Sequence, residues 1–284
     1  MLLVDALPVL GAAITLLFTD RSANTCIYSG YSSGDPLIWQ HLFWYFGHPE
    51  VYIIVLPAFG VVSWILGKEL IRSLPPHLGM LCATLSLAGI GFFVWAHHMF
   101  VAGISSESRV YFSAATMVIA IPTALKLISW LSSALGFNIW SAALSTFTSF
   151  LTFFISGGIT GLVLSNLGID IIYHDTYFVV AHFHYVLSIA SSISVLLVVR
   201  LFLLSLVAAP PELPAKVSLL VLVLVLNIVF GPLHVLGIEV HPRRISSAPE
   251  SSVSIQQVSN GAVIGLAVFS SVFIGSPGSS TSPS

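Results

Sequence analysis

Apolar residues run through this chain in long blocks, without the short alternation of a strand or the one-sided stripe of a surface helix. Windows of about 20 predominantly apolar residues, the length that crosses a hydrocarbon layer as a helix, fall at 2–19, 37–66, 78–102, 110–135, 141–165, 177–207, 215–238 and 253–274. No water is available inside a bilayer to satisfy peptide groups, so each block must close its hydrogen bonds internally as a helix. Pro-, Gly- and Ser-rich breakers separate several of them, at 29–36, 74–77, 136–138 and 209–214. The pattern predicts an all-α, polytopic transmembrane helix bundle of about seven full spans plus a partial N-terminal span. It occupies residues 1–275, and the Ser-, Pro- and Gly-rich stretch 276–284 is expected to be a disordered tail.

Composition agrees with that pattern. Only 7% of the 284 residues are charged and 56% are hydrophobic, against roughly 25% charged in a soluble domain. A chain with so little polar surface must be covered by membrane lipid. Net charge is −2 and the basic residues are scattered, which excludes a surface that tracks a nucleic-acid backbone. Cys26 and Cys82 lie far apart in sequence and form neither a disulfide framework nor a thiolate metal motif. The first residues have neither the basic start of a secretory signal nor the Arg- and Ser-rich character of a transit peptide, and they read as the middle of a membrane helix. Basic residues divide evenly between alternate loops, so charge does not fix the orientation.

Ionisable groups inside apolar spans are costly and are candidates for function. His48-Pro49-Glu50-Val51-Tyr52 interrupts the second span, with His48 and Tyr52 on one helical face. His97 and His98 close the third span; neighbouring helical side chains diverge by about 100°, so both reach one ion only if the helix ends or bends there. Together with His48 they would make a nitrogen site suited to copper or zinc. His182 and His184, two apart, are separated by about 200° on a helix and cannot chelate one ion, which suggests two separate cofactors on opposite flanks. Lys126 lies deep in the fourth span, in a stripe with Thr123 and Thr116. In the loops, Asp170, His174 and Asp175 precede the sixth span, and Arg243-Arg244 follow the seventh. Each group has a plain structural alternative: a Pro kink with a bonded His, a headgroup contact, histidines bonded to neighbouring helices, a snorkelling lysine.

Three stretches are distinctive: Trp44-Tyr-Phe-Gly-His-Pro-Glu-Val-Tyr52, Val94-Trp-Ala-His-His-Met-Phe100 and His174-Asp-Thr-Tyr-Phe-Val-Val-Ala-His-Phe-His-Tyr185. They resemble the haem-copper oxidase catalytic subunit, subunit one of cytochrome c oxidases, and the resemblance covers nearly the whole chain to about Gly275. It implies a terminal respiratory oxidase that reduces oxygen to water with electrons from cytochrome c and translocates protons. It implies two haems, of the haem A kind, a copper and a magnesium. Position by position, His48, His97 and His98 match the copper ligands, and Tyr52 the tyrosine linked to the His48 equivalent. His182 matches the axial ligand of the high-spin haem and His184 that of the low-spin haem. Glu50 matches a proton-passing glutamate, and Lys126, Thr123 and Ser63 match a second proton route. His174 and Asp175 match magnesium ligands, Arg243 and Arg244 the pair that holds haem propionates, and Asp170 a propionate neighbour.

The family subunit has twelve helices, and this chain resembles the last seven plus the second part of the fifth. None of its ten histidines matches the opposite axial ligand of the low-spin haem. The chain is therefore expected to act only when assembled with the N-terminal part of the same subunit as a separate chain, a copper-bearing second subunit and other oxidase subunits. A truncated product is the alternative to such a split. Alternatives in function are a quinol-oxidising relative, a multi-pass transporter with a histidine proton relay, and an inactive structural fragment. The mitochondrial inner membrane is the expected location, with a bacterial cytoplasmic membrane as the alternative.

Overall fold

The structure, a computed structural model, describes residues 1–69, 77–135, 141–195, 198, 212–245, 253, 255, 257–261 and 263. The expected tail and most of the eighth apolar block lie outside these residues.

Helix α1 (Leu2–Ser22) is apolar all round and is followed by a pinned turn. The Asp20 carboxylate accepts hydrogen bonds from the backbone N–H groups of Ile27 and Tyr28, at 2.9 and 2.8 Å, and the Tyr28 hydroxyl donates to the Ala13 carbonyl at 3.1 Å. This folds the chain back so that α2 (Pro36–Glu69) packs along α1. Pro36 opens α2 at the position where its missing N–H costs nothing. Next come α3 (His77–Ile90), α4 (Ser106–Val118), α5 (Ala120–Ala134), α6 (Ala142–Ser165), α7 (Leu167–Tyr173), α8 (Tyr177–Phe183) and α9 (Glu212–Ile238). Side chains of Ser105, Ser141, Asn166 and Thr176 cap α4, α6, α7 and α8 by accepting N–H groups of the first turn. Among the described residues the only β pairing is an isolated bridge between Thr176 and Pro242.

Six of the described helical stretches are long and apolar enough to cross a membrane: Leu2–Ser22, Pro36–Gly67, Ser106–Ala134, Leu144–Ser165, Tyr177–Val195 and Lys216–Ile238. The chain is a helical, multi-pass membrane bundle. The first span, expected to be short and partial, is a helix of 21 residues. The third is not one helix to residue 102. It gives way after Ile90 to two tight 3₁₀ turns, Gly91–Phe93 and Trp95–Met99, so α3 with the first turn is apolar but shorter than a full crossing. The fourth starts earlier than expected, at Ser106, and divides at Ile119. Pro122 supplies a reason, because it has no N–H for the carbonyl of Val118, four residues back.

The core lies between α2, α5 and α6, where Phe59, Trp130, Phe150 and Phe154 interlock, with Phe59 edge-on to Trp130 at 5.2 Å and to Phe154 at 5.0 Å. A second contact fixes α8. Gly237 of α9 lies so close to the backbone of Phe178 that a Cβ there would overlap it. Below this contact α9 ends in a Schellman arrangement: Val240 N–H bonds to the Gly237 carbonyl and His241 N–H to the Leu236 carbonyl, both at 3.0 Å. The left-handed position of that motif, usually glycine, is held by Val240 at φ 57°.

Two substitutions test this packing. Gly237→Ala is expected to push α8 from α9 and to destabilise the fold by about 2 kcal/mol, as overpacking of a filled contact does. Val240→Gly relieves a β-branched residue from the left-handed region and is expected to stabilise by up to about 1 kcal/mol. Thermal unfolding in detergent, followed by circular dichroism, should move down for the first and up for the second.

Candidate functional site

Three imidazoles meet where the 3₁₀ segment Trp95–Met99 crosses α2. Ligand atoms of His48, His97 and His98 all lie within 4.8 Å of one another, and among the described residues they form the only group of three or more potential metal ligands. The expectation that the third span must end or bend at His97-His98 is met by the tight turns. These bring the two rings to 4.1 Å from each other and place His48 4.8 Å from His97. Both ring nitrogens of His48 and Nε2 of His98 are buried without a hydrogen-bond partner. Unpaired nitrogens in an apolar interior are costly, and one soft or borderline cation would satisfy His98 Nε2 together with one nitrogen of His48. The donor set, three neutral imidazoles, fits copper.

The tautomer of His97 follows from a count of protons. Thr116 has one hydroxyl proton, and it lies 2.6 Å from the Phe112 carbonyl, which can only accept. Toward His97 Nδ1, at 3.2 Å, the hydroxyl must therefore accept, so Nδ1 carries the proton and Nε2 keeps its lone pair for the cluster. Thr116, expected in a stripe with Lys126, turns to His97 instead. Trp44 stacks on His98 at 4.2 Å and 11°, and Trp95 Nε1–H donates to His41 Nδ1 at 3.2 Å, fixing the segment against α2. Tyr52 lies beside His48, with ring centroids 4.5 Å apart. Trp44 stands inside a motif the sequence already marks, but nothing in its spacing announces the stack.

His182 and His184 sit where α8 passes into a π turn, His184–Ile189. Such turns insert one residue into a helix and recur at functional sites. His182 Nδ1 bonds to the Gly157 carbonyl and His184 Nδ1 to the Val180 carbonyl, both at 2.7 Å. A carbonyl only accepts, so both rings carry the proton on Nδ1 and leave Nε2 as a lone pair. Gly161 leaves room for the His182 ring: a Cβ at that position would stand 2.5 Å from its Cε1. His184 stacks on Phe230 at 4.4 Å. Each ring thus has one nitrogen anchored and one free to ligate. Another histidine, His234 of α9, stands edge-on to Tyr185 at 4.8 Å with its Nε2 buried and unpartnered. The sequence reading gave it no role, because no motif surrounds it.

Lys126 is buried, 4% exposed, on α5. Its Nζ donates to Thr84 Oγ1 of α3 at 2.7 Å and lies 5.6 Å from the ring centres of Phe59 and Trp130. The expected partners are engaged elsewhere: Thr123 donates to the Ile119 carbonyl at 2.9 Å, while Ser63 donates to the Phe59 carbonyl at 2.9 Å and accepts from Trp130 Nε1–H at 3.0 Å. Glu50 is exposed on the outer face of α2, away from these contacts.

The two polar loops are brought together by the Thr176–Pro242 bridge and by bonds from Tyr177 N–H to the His241 carbonyl, at 3.0 Å, and from Arg243 N–H to the Asp175 carbonyl, at 2.9 Å. Side chains of the two loops also pair with one another. His174 Nδ1 pairs with buried Asp170 at 2.6 Å, and Arg243 forms an ion pair with Asp175. Burial pushes the Asp175 carboxyl up, but the hydrogen bond and charge of Arg243, with the charges of His174 and Arg244, hold it below the usual carboxylate range. Asp175 and Arg244 both take positive φ, 56° and 66°. Left-handed backbone of this kind persists only where surrounding bonds enforce it.

Residues 1–269 match the family model described as cytochrome c and quinol oxidase polypeptide I. The chain is 42% identical over 261 residues to a cytochrome c oxidase subunit 1 of Candida albicans, covering 91% of this chain and 49% of that protein. It is 40% identical over 261 residues, with the same coverage, to that of Eremothecium gossypii, and 42% identical over 253 residues to that of Debaryomyces hansenii, covering 88% and 47%. The chain thus spans about half the length of these relatives. A heme-copper terminal oxidase solved by cryo-EM as a dimer has the same fold over 86% of this chain and 49% of its own, with a TM-score of 0.72 at 19% identity. The imidazole cluster, the helical bundle around it and a family match along nearly all of the chain agree, and the chain belongs to the cytochrome c and quinol oxidase polypeptide I family.

Proposed function

We propose that this chain is the C-terminal part of the catalytic core of a terminal oxidase, which reduces oxygen to water with electrons from cytochrome c and couples this to proton translocation. The observation that carries the reading is the set of five imidazoles with nitrogens free to ligate: three converging within 4.8 Å, and two with Nδ1 tied to backbone carbonyls. The three yeast relatives, all cytochrome c oxidase subunits, favour this over a quinol-oxidising enzyme and support a location in the mitochondrial inner membrane. In this proposal the chain, which spans about half of each relative, acts in assembly with the N-terminal helices of the same subunit and with a copper-bearing second subunit.

In this reading His48, His97 and His98 hold the copper, and His182 and His184 hold the high-spin and low-spin haems through Nε2. Bound there, copper and haem would supply the redox chemistry of oxygen reduction. Thr116 keeps His97 in the ligating tautomer, and Trp44 holds the plane of His98. Tyr52, beside His48, delivers a proton at its phenolic oxygen. Lys126, with Thr123 and Ser63 along the same route, brings protons from the opposite side. Glu50, exposed on α2, passes protons once the missing helices cover it. Arg243 and Arg244 clamp carboxylates of the haem edge, with Asp170 as a neighbour. His174 and Asp175 offer magnesium Nε2 and one carboxylate oxygen.

Two measurements test the proposal. His97→Ala in the assembled oxidase is expected to abolish copper binding at this centre by metal analysis and to lower oxygen consumption by about a thousandfold or more, in keeping with the loss of a group acting in the reaction itself. The His184 haem spectrum should remain. Wild-type respiration in this variant would make the chain a structural subunit. Mass spectrometry of the native assembly should also find a separate polypeptide carrying the preceding helices. A haem-free assembly would defeat the oxidase reading.

A further inference from the structure

Among the described residues Lys126 is the only buried lysine or arginine; it lies deep in an apolar span, where a charge is costly unless it is paired. Its proton-route role rests on the oxidase reading above. The partner that reading supplies, Thr123, gives its proton to its own helix, and the side chain that meets the ammonium is Thr84 of α3. Thr84 donates its single hydroxyl proton to the Met80 carbonyl at 2.8 Å. It therefore presents only lone pairs to Lys126 Nζ, which is the complement an ammonium requires. Two ring faces, Phe59 and Trp130, complete the seat at 5.6 Å each.

The seat has a direction. Thr84 lies seven residues before Gly91, about 10 Å along α3, and Gly91 faces the ring of Tyr52. Phe59 lies seven residues after Tyr52 on the same face of α2, and Ser63, bound to Trp130, one turn further on. Lys126 is thus held between the Ser63–Trp130 pair at one end and Tyr52 at the other.

We propose that Thr84 is a positioning residue of the Lys126 proton route: its hydroxyl seats the protonated side chain between α2, α3 and α5, about 10 Å along α3 from the Tyr52 end. When the proton passes along the route to the Tyr52 phenolate, one Nζ–H bond breaks, one O–H bond forms on Tyr52 and a neutral amine remains. The amine is held more weakly by the same lone pair and is free to collect the next proton from the Ser63 side.

The test uses the complete native oxidase and follows protons taken up when it is reduced without oxygen, read with a pH-indicator dye, alongside turnover. Thr84→Val keeps shape and removes the lone pairs. It is expected to slow uptake about tenfold, the scale of a lost hydrogen bond to a charged group, with haem spectra unchanged. Thr84→Ser should restore the wild-type rate, and Lys126→Met should abolish the phase. If T84V does not assemble, Thr84→Ala takes its place. Wild-type uptake in T84V with a blocked K126M overturns the role of Thr84 and leaves the route standing. Equal slowing in T84V and T84S shows that packing of the methyl is responsible and also overturns it. Wild-type uptake in K126M removes the route itself and the proposal with it.

Discussion

A hydroxyl has one proton, and inside an apolar bundle the nearest helix carbonyl takes it. This single rule sets the chemistry of the site. Thr116, Thr84, Ser63 and Thr160 all donate to carbonyls three or four residues back, so toward their neighbours they can only accept. His97 Nδ1, Lys126 Nζ and Trp130 Nε1 are the donors that meet the first three, while the His182 Nδ1 proton beside Thr160 goes to the Gly157 carbonyl. In consequence the imidazoles that face these hydroxyls have their protons fixed on one side and their lone pairs on the other. A bundle with free rotors would leave each ring to choose its tautomer; here the backbone has already chosen.

The same economy explains why the site is built on irregular backbone. Three adjacent rings cannot converge from ideal helices, since neighbouring positions diverge by about 100°. Two tight turns after α3, a break between α4 and α5, and a π turn after α8 each change the phase at which a side chain leaves its element. Regular helix carries the chain across the membrane, and departures from it aim the ligands. Positive-φ positions in the facing loops, at Asp175, Val240 and Arg244, serve the polar edge in the same way.

Much of this is legible in the sequence, and the remainder fails for identifiable reasons. Helices 1, 2, 6 and 9 follow from apolar length alone, because lipid leaves no alternative. The copper-type cluster is legible because His97 and His98 need a broken helix and sit at the end of a span. The pairing of Thr116 with Lys126 is not found, because the helical arithmetic assumes an unbroken span and the chain divides at Ile119. Thr84 escapes notice since a threonine in a membrane helix reads as a residue bonded to its own backbone, which it also is. The ion pair of Arg243 with Asp175 depends on two segments almost seventy residues apart meeting at one bridge, whereas His174 meets Asp170 across a single helical turn.

The π turn has a further consequence for how this segment can change through descent. Between His184 and Ile189 the helix contains one residue more than an α-helix would need. Losing any one of the six would restore regular winding and keep the segments on either side in phase, but the side chains within the turn would leave the helix at new angles. Side chains here can drift so long as they still pack, whereas the number of residues cannot. The segment therefore constrains chain length more tightly than chemistry, and an insertion or deletion in it would be more damaging than most substitutions.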